Sequence, residues 1–282
     1  MKKRMTALLA LLLTLGALIL AACENAPPVE KPDDGILTVY CFKAGKADAF
    51  LFYTKNSAVL IDAGESGCGK SIVKYCSEHG ITNIDCMIIT HFDKDHVGGA
   101  KKVMESLKVD KILQSSVPKD NGTYDKYLAA LESMNMTAQT VTEKTEVSFD
   151  GVSYVVLPPE SDAYEEDDTN NASLITEVRH GDISMLFTGD ARTARLEEYL
   201  RTSPGKFDLV KMPHHGEYMK VLKKLMALVQ PSYAVITSST AEPEEDKTVN
   251  LLKNYSTSIF CTREAPVIIQ SDGSALDVRY DN

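Results

Sequence analysis

Ten consecutive residues, Thr90 to Gly99 (THFDKDHVGG), constrain this chain more than any other stretch. Within six positions they place His91, Asp93, Asp95 and His96, four side chains able to ligate a metal, directly behind the apolar run Met87-Ile88-Ile89. An apolar run from Cys86 to Thr90 with two β-branched isoleucines reads as a buried strand. Side chains leaving such a strand have a rigid mount, and Gly98-Gly99 allows a tight turn behind them. A solvated loop that happens to be rich in Asp and His is the bland alternative. It does not explain ligand-capable residues crowded at one strand exit.

From Ile36 onward the chain alternates strand-like and helix-like segments. Apolar runs at Ile36–Phe42, Ala49–Tyr53 and Ala58–Asp62 predict strands, the last two joined across Asn56-Ser57. Periodicity predicts helices over Lys70–Glu78, Gly99–Leu107, Tyr124–Met134, Thr193–Leu200, Met219–Leu228 and Asp246–Asn254. Hairpins are expected at Asp150-Gly151 and at Gly181-Asp182, the second joining Ser173–Val178 to Ile183–Thr188. Further strands fall near Lys111–Gln114, Phe207–Lys211 and Ala234–Thr237, with C-terminal strands around Asp272-Gly273. Such a succession predicts an α/β fold, an αββα sandwich of two mixed β-sheets flanked by helices, over residues 36–282.

The first residues bear on compartment. Lys2, Lys3 and Arg4 precede an apolar segment from Ala7 to Ala22, which reads as an export signal over residues 1–22. Leu20-Ala21-Ala22-Cys23 looks like a bacterial lipobox, making Cys23 the expected lipidation site. Residues 23–35, charged and Pro-rich without apolar periodicity, read as a flexible tether. Of the other cysteines, Cys41, Cys86 and Cys261 lie in strand-like runs as small buried hydrophobes. Cys68 and Cys76 are expected mostly as free thiols. The formal charge of −10 argues against a broad nucleic-acid surface and leaves a local one open. Lys43, Lys46, Lys94, Lys101, Lys102, Lys211 and Lys220 lie near the candidate ligands in sequence, and most are expected as solvated faces.

Several nucleotide and nucleophile motifs are missing. There is no Walker loop, dinucleotide fingerprint or Gly-x-Ser-x-Gly elbow, and Gly64–Gly69 (GESGCG) reads as a flexible turn. What is present is an ordered set: Asp62-Ala63-Gly64, THFDKDHVGG, Thr188-Gly189-Asp190 and Pro213-His214-His215-Gly216. This set resembles the motifs of the metallo-β-lactamase superfamily. FKAGKADAF at Phe42–Phe50 and NNAS at Asn170–Ser173 are similar to the soluble hydrolase domain of the ComEC competence proteins. The usual superfamily pattern has a histidine where this chain has Asp93, and a further histidine before the Thr-Gly-Asp motif. His180, at a hairpin turn, and His79, at a helix end, do not replace it and are expected to be structural, His180 at the surface.

The resemblance implies two divalent metal ions, Zn²⁺ or Mn²⁺. His91 and Asp93 would hold one, Asp95 and His96 the second, and Asp190 would bridge them. His214 or His215 would complete the second site or protonate the leaving group, so Asp95, His214 and His215 are the catalytic candidates. Asp62, Asn170 and Ser173 would support the ligands from behind. Two dications against Asp93, Asp95 and Asp190 leave one net positive charge, which a bridging hydroxide would bring to about zero so that an anionic phosphoester can approach; carboxylates in place of imidazoles harden the site and move preference from zinc toward manganese without excluding zinc. The expected protein is an exported, lipid-anchored phosphodiesterase or nuclease on the outer face of the cell membrane, with DNA or a cell-wall polymer as substrate and no obligate protein partner. A cell-wall phosphoesterase of the teichoic-acid type, or a non-catalytic binding lipoprotein that kept the fold, are the alternatives.

Overall fold

The computed structural model describes residues 35–164 and 169–282. The expected export signal (1–22), the lipidation site Cys23 and all but the last residue of the tether (23–35) lie outside the described residues. Among the described residues no helix is long and apolar enough to cross a membrane.

Three antiparallel strands open the chain: β1 (Leu37–Cys41), β2 (Ala49–Tyr53) and β3 (Ala58–Ala63). After helix α1 (Cys68–Glu78) and the short β4 (Asn83–Ile84), strand β5 (Cys86–Ile89) pairs parallel with β3. It delivers the ligand loop, whose residues Lys94–Val97 form the single-turn helix α2, followed by α3 (Ala100–Ser106). Strand β6 (Lys108–Val109) pairs only with β4, while β7 (Ile112–Gln114), helix α4 (Gly122–Ser133) and β8 (Gln139–Thr140) complete the first half. Eight strands thus form one sheet, in the order β17-β16-β1-β2-β3-β5-β7-β8, where β16 is Val267–Ser271 and β17 is Leu276–Tyr280.

The second sheet begins with the antiparallel strands β9 (Thr145–Phe149), β10 (Val152–Leu157), β11 (Ile175–His180) and β12 (Ile183–Phe187). It continues in parallel through β13 (Leu209–Lys211), β14 (Tyr233–Ile236) and β15 (Ser258–Cys261). Helices α5 (Thr193–Arg201), α6 (Leu222–Val229) and α7 (Asp246–Asn254) make the crossovers.

The central strands are apolar on both faces because each sheet is covered on both, whereas the edge strands β9 and β17 alternate exposed and half-buried residues. Between the sheets, Phe50, Phe52 and Val59 of the first meet Tyr154, Met185 and Phe187 of the second. Phe187 packs edge-on against Phe50 and Phe52 at 5.1 and 5.0 Å between ring centroids. On the outer faces, Ile72, Val103 and Tyr127 of α1, α3 and α4 cover Leu60 and Met87, and Leu196, Leu225 and Leu252 of α5, α6 and α7 cover Val210 and Ala234. This is the expected αββα sandwich. In both sheets the carboxyl ends of the parallel strands leave at one edge, where open α/β sheets form their sites.

Three expectations need correction. Gly64–Gly69 is not a flexible turn: α1 starts inside it, and Gly69 lies so close to the ligand loop that a Cβ there would sit 2.5 Å from the Gly99 carbonyl oxygen. His180 is half-buried rather than at the surface, its Nδ1 2.9 Å from Ser271 Oγ. Lys211, counted among solvated lysines, is completely buried. Cys41, Cys68, Cys76, Cys86 and Cys261 are all buried free thiols. His79 is structural as expected, stacked on Tyr75 at 3.9 Å with Nδ1 2.8 Å from the Tyr75 carbonyl.

A Cβ at Gly99 would meet the Ala63 carbonyl oxygen at 2.2 Å and Gly69 N at 2.8 Å, backbone atoms that cannot rotate away. Gly99→Ala is therefore expected to destabilise by about 1–3 kcal/mol, or about 2–4 °C of Tm per kcal/mol in a domain of this size. Gly122→Ala, in open space at the start of α4, should stay within about 0.5 kcal/mol. Thermal denaturation of the two variants checks the contrast.

Candidate metal centre

Five strand ends converge on one cluster of polar side chains. Asp62, at the end of β3, takes a left-handed backbone conformation (φ 56°) and is wholly buried. Its carboxylate accepts hydrogen bonds from the Thr90 backbone N–H (2.8 Å) and the Thr90 hydroxyl (2.7 Å), and lies 2.8 Å from His96 Nδ1. Asp62 thus ties the strand carrying the ligand loop to its neighbour.

The same logic holds for all three buried imidazoles. Because the Thr90 hydroxyl gives its proton to Asp62, it is left to accept from His91 Nδ1, 3.1 Å away. The Thr237 hydroxyl donates to Asp48 Oδ1 (2.6 Å) and is left to accept from His215 Nδ1 at 3.0 Å. In its neutral form each ring would keep its proton on Nδ1, which turns the lone pair of Nε2 toward the centre. The Nε2 atoms of His91, His96 and His215 are all buried and make no hydrogen bond.

Around those nitrogens stand carboxylates. Asp190 Oδ2 is 3.2 Å from His96 Nε2 and 3.0 Å from His215 Nε2, and Asp95 Oδ2 is 3.3 Å from His215 Nε2. One ligand atom each from Asp95, His96, Asp190 and His215 fits within 4.8 Å of the others. Two partnerless imidazole nitrogens facing two carboxylates match the mixed nitrogen and oxygen donor set of a divalent transition metal. The residues present fit such an ion.

Charge reinforces the arrangement. Burial opposes charge on His215, but Asp190, Asp95 and Asp48 outweigh it and push the ring up to about 9. His96 is likewise held well above its ordinary value, its burial overcome by Asp190 and Asp62. Burial would raise Asp190, yet His215, His96 and Lys211 hold it well below the carboxylate range. His91 goes the other way: burial, with the neighbouring His96, lowers it to about 4, so it is neutral and ready to ligate. The carboxylates thus create a demand for positive charge that protons or metal ions can meet.

Two expected residues stand at the margin of the cluster, Asp93 beside His91 and His214 at the rim. Asp93 Oδ1 is 3.7 Å from His91 Nε2 but is also ion-paired to Lys119 and accepts from the Thr169 hydroxyl at 3.1 Å. His214 stands at the rim: Nε2 is 3.9 Å from Asp190 Oδ2, and Nδ1 is 2.6 Å from Glu217 Oε2. Asn170 contacts His214 (3.3 Å), while the Ser173 hydroxyl accepts from the Asp190 backbone N–H at 3.1 Å and lies 3.4 Å from His91 Nδ1. Both histidines of the Pro213–Gly216 turn have positive φ, and this backbone twist sends His215 inward and His214 to the edge.

Sequence reasoning missed Asp48, Lys119, Lys211, Glu217 and Thr237. Lys211 had one visible signal, a lone charge bordered by apolar residues at the end of a segment otherwise read as strand, and Asp48 stands between two alanines just before one.

The family model of the metallo-beta-lactamase superfamily matches residues 43–237. The chain is 26% identical over 201 residues to "ComE operon protein 3" of Bacillus subtilis and 26% identical over 204 residues to "Recombination protein 2" of Haemophilus influenzae. These alignments cover 68% and 71% of this chain but 25% and 24% of those proteins, so the chain spans about a quarter of the length of the curated relatives it matches. Among solved structures, the metallo-beta-lactamase fold protein YhfI from Bacillus subtilis has a TM-score of 0.54 at 12% identity, over 84% of this chain and all of that one. CmlA, a diiron beta-hydroxylase from Streptomyces venezuelae, has a TM-score of 0.51 at 13% identity, over 79% of this chain and 52% of that one. These two likenesses are of fold.

The geometry separates the paired histidines experimentally. His215→Ala should lower the metal content of the purified, metal-reconstituted protein by about one equivalent, whereas His214→Ala should keep it; elemental analysis of both variants decides. Loss of metal on changing His214 and retention on changing His215 would reverse the assignment.

Proposed function

The chain belongs to the metallo-β-lactamase superfamily, and from that membership we propose that it is a binuclear metallohydrolase of phosphoester bonds, with nucleic acid as the first substrate class. One observation carries the hydrolase reading: the buried, partnerless Nε2 atoms of His96 and His215 converge on Asp95 and Asp190, and a third such atom, on His91, lies 3.7 Å from Asp93. Asp95, His96 and His215 would hold one ion and His91 and Asp93 the other, with Asp190 shared between them. Bound divalent ions would supply Lewis acidity and a nucleophile at neutral pH.

The chain's own residues do the rest. Asp62, Thr90 and Thr237 keep the rings in the ligating tautomer, and Ser173 fixes the backbone of Asp190. His214 lies at the mouth, next to Glu217, which Arg192 in turn holds at 2.9 Å. With Nδ1 beside Glu217 and Nε2 facing the cluster, His214 is placed to deliver a proton from Nε2 to a departing oxygen.

Two observations support a phosphoester substrate. The relatives carry names of competence and recombination, processes that act on DNA. Beside the ligand loop, Lys94, Lys101, Lys102 and Lys126 line a cleft of about 310 Å³ with Ser66, Gly98 and Thr123. Glu65 and Glu105 also border this cleft, leaving its charge positive on an acidic chain. Of the other lysines near the motifs, Lys46 pairs with Glu242 at 3.7 Å and Lys43 donates to the Glu264 carbonyl at 3.0 Å.

The Leu20–Cys23 sequence supports a lipid anchor on the outer face of the cell membrane. That location favours a second substrate, a phosphodiester polymer of the cell wall such as teichoic acid.

The test is a screen of the purified protein with Mn²⁺ or Zn²⁺ against single-stranded DNA, bis-p-nitrophenyl phosphate and phosphorylcholine esters. Metal-dependent cleavage of DNA is expected, and Asp190→Ala should lower it by about 100-fold or more. Cleavage of the choline ester without DNA would select the cell-wall reading. Equal rates for wild type and Asp190→Ala on every substrate would remove the hydrolase reading and leave a binding lipoprotein.

Anchoring has its own experiment. Cys23→Ser should move the protein from the membrane to the soluble fraction, because losing the diacyl anchor removes most of the membrane affinity. A variant that still pellets like wild type would refute the lipobox.

A further inference from the structure

Lys211 is the last residue of β13, its side chain 0% exposed. Its ammonium donates to the Gly189 carbonyl at 2.8 Å, lies 3.3 Å from Asp190 Oδ1 and is ion-paired with Asp48. Asp48, 1% exposed and contributed by the loop just before β2 of the other sheet, accepts from the Thr237 hydroxyl at 2.6 Å, and Thr237 in turn accepts from His215 Nδ1 at 3.0 Å. Two separate ligand candidates are therefore held from behind by one buried pair. Lys211 grips the Asp190 oxygen that faces away from the imidazoles, leaving Oδ2 toward His96 and His215. Asp48 orients His215 through Thr237.

We propose that Lys211 and Asp48 are positioning residues that preset Asp190 and His215 for metal. The proposal rests on the metallohydrolase reading above, and it goes further in assigning a role to two residues outside the ligand set. A fixed carboxylate binds a cation without first losing rotational freedom, and a fixed tautomer presents a lone pair rather than a proton. A buried ion pair can also be merely structural, so the experiment must separate the two roles.

Removing one partner of a buried pair strands a charge, whereas removing both together is often close to neutral for stability. Lys211→Met should therefore destabilise the fold, and the double variant Lys211→Met/Asp48→Asn should recover most of that stability in thermal denaturation. Metal affinity, measured by chelator competition on the folded protein, should not recover. It should remain about 10- to 100-fold weaker than wild type in the double variant, the range typical of residues that orient metal ligands. Thr237→Val, which deletes one hydroxyl and strands no charge, should weaken affinity in the same direction without loss of fold. Recovery of both stability and wild-type metal affinity in the double variant, or unchanged affinity in Thr237→Val, would overturn the proposal. If wild type itself binds no metal, the metallohydrolase reading fails instead.

Discussion

A buried carboxylate, that of Asp190, is the charge around which the rest of the site is arranged. An ionised carboxylate costs several kcal/mol to bury unless partners replace its water. Here those partners come from both sheets: Lys211 and His215 from the same sheet, and His96 from the ligand loop of the other. Lys211 in turn binds Asp48, in the loop just before β2 of the first sheet. The two sheets are joined by aromatic packing through Phe50, Phe52 and Phe187 in the middle, and by this charged network at one edge. Apolar packing sets the distance between the sheets; the network specifies how their strand ends face one another.

That division bears on three of the chain's left-handed non-glycine residues. Asp62, His214 and His215 all have positive φ, a conformation that costs about 1–3 kcal/mol each for residues other than glycine. Each follows or ends a strand with neighbours on both sides, β3 for Asp62 and β13 for the histidines. Rigid strands can hold a strained turn that a free loop would relax. In return, consecutive side chains are redirected: His215 enters the cluster while His214 stays at the mouth beside Glu217.

The sequence makes the contiguous part of this site legible and hides the part assembled across the sheets. His91, Asp93, Asp95 and His96 share one loop, so spacing alone marks them as ligand candidates, and the apolar run before them marks the strand. The αββα order could be read because each helix and strand carries its own period. Asp48 and Lys211 each stand singly, and nothing local says that one is the other's counterion. Asp48 and Thr237 touch although 189 positions apart, a contact that exists only once two sheets have packed. The choice between His214 and His215 was hidden for another reason: it depends on two positive φ angles that no side-chain pattern announces. The surface reading of His180 failed because its hairpin meets the turn at Gly273, with the Asp182 N–H donating to the Gly273 carbonyl at 2.7 Å.

Net charge acquires a different weight once the fold is known. At physiological ionic strength, charges more than about 8 Å apart in solvent are largely screened. An approaching polyanion therefore responds to the charges lining its path more than to the sum of −10 over the chain. Lys94, Lys101, Lys102 and Lys126 converge on one cleft although α2, α3 and α4 carry them separately. Two of the four have acidic partners within 4 Å, Lys94 with Glu65 (3.4 Å) and Lys101 with Glu105 (3.8 Å), and both pairs are solvent-exposed and weak. Under the proposed function, an acidic chain with such a cleft would meet a long anionic polymer over a short, local contact rather than along its whole surface. Broad coating of nucleic acid and local capture of a phosphoester make opposite demands on a protein surface, and the function proposed above calls for the second.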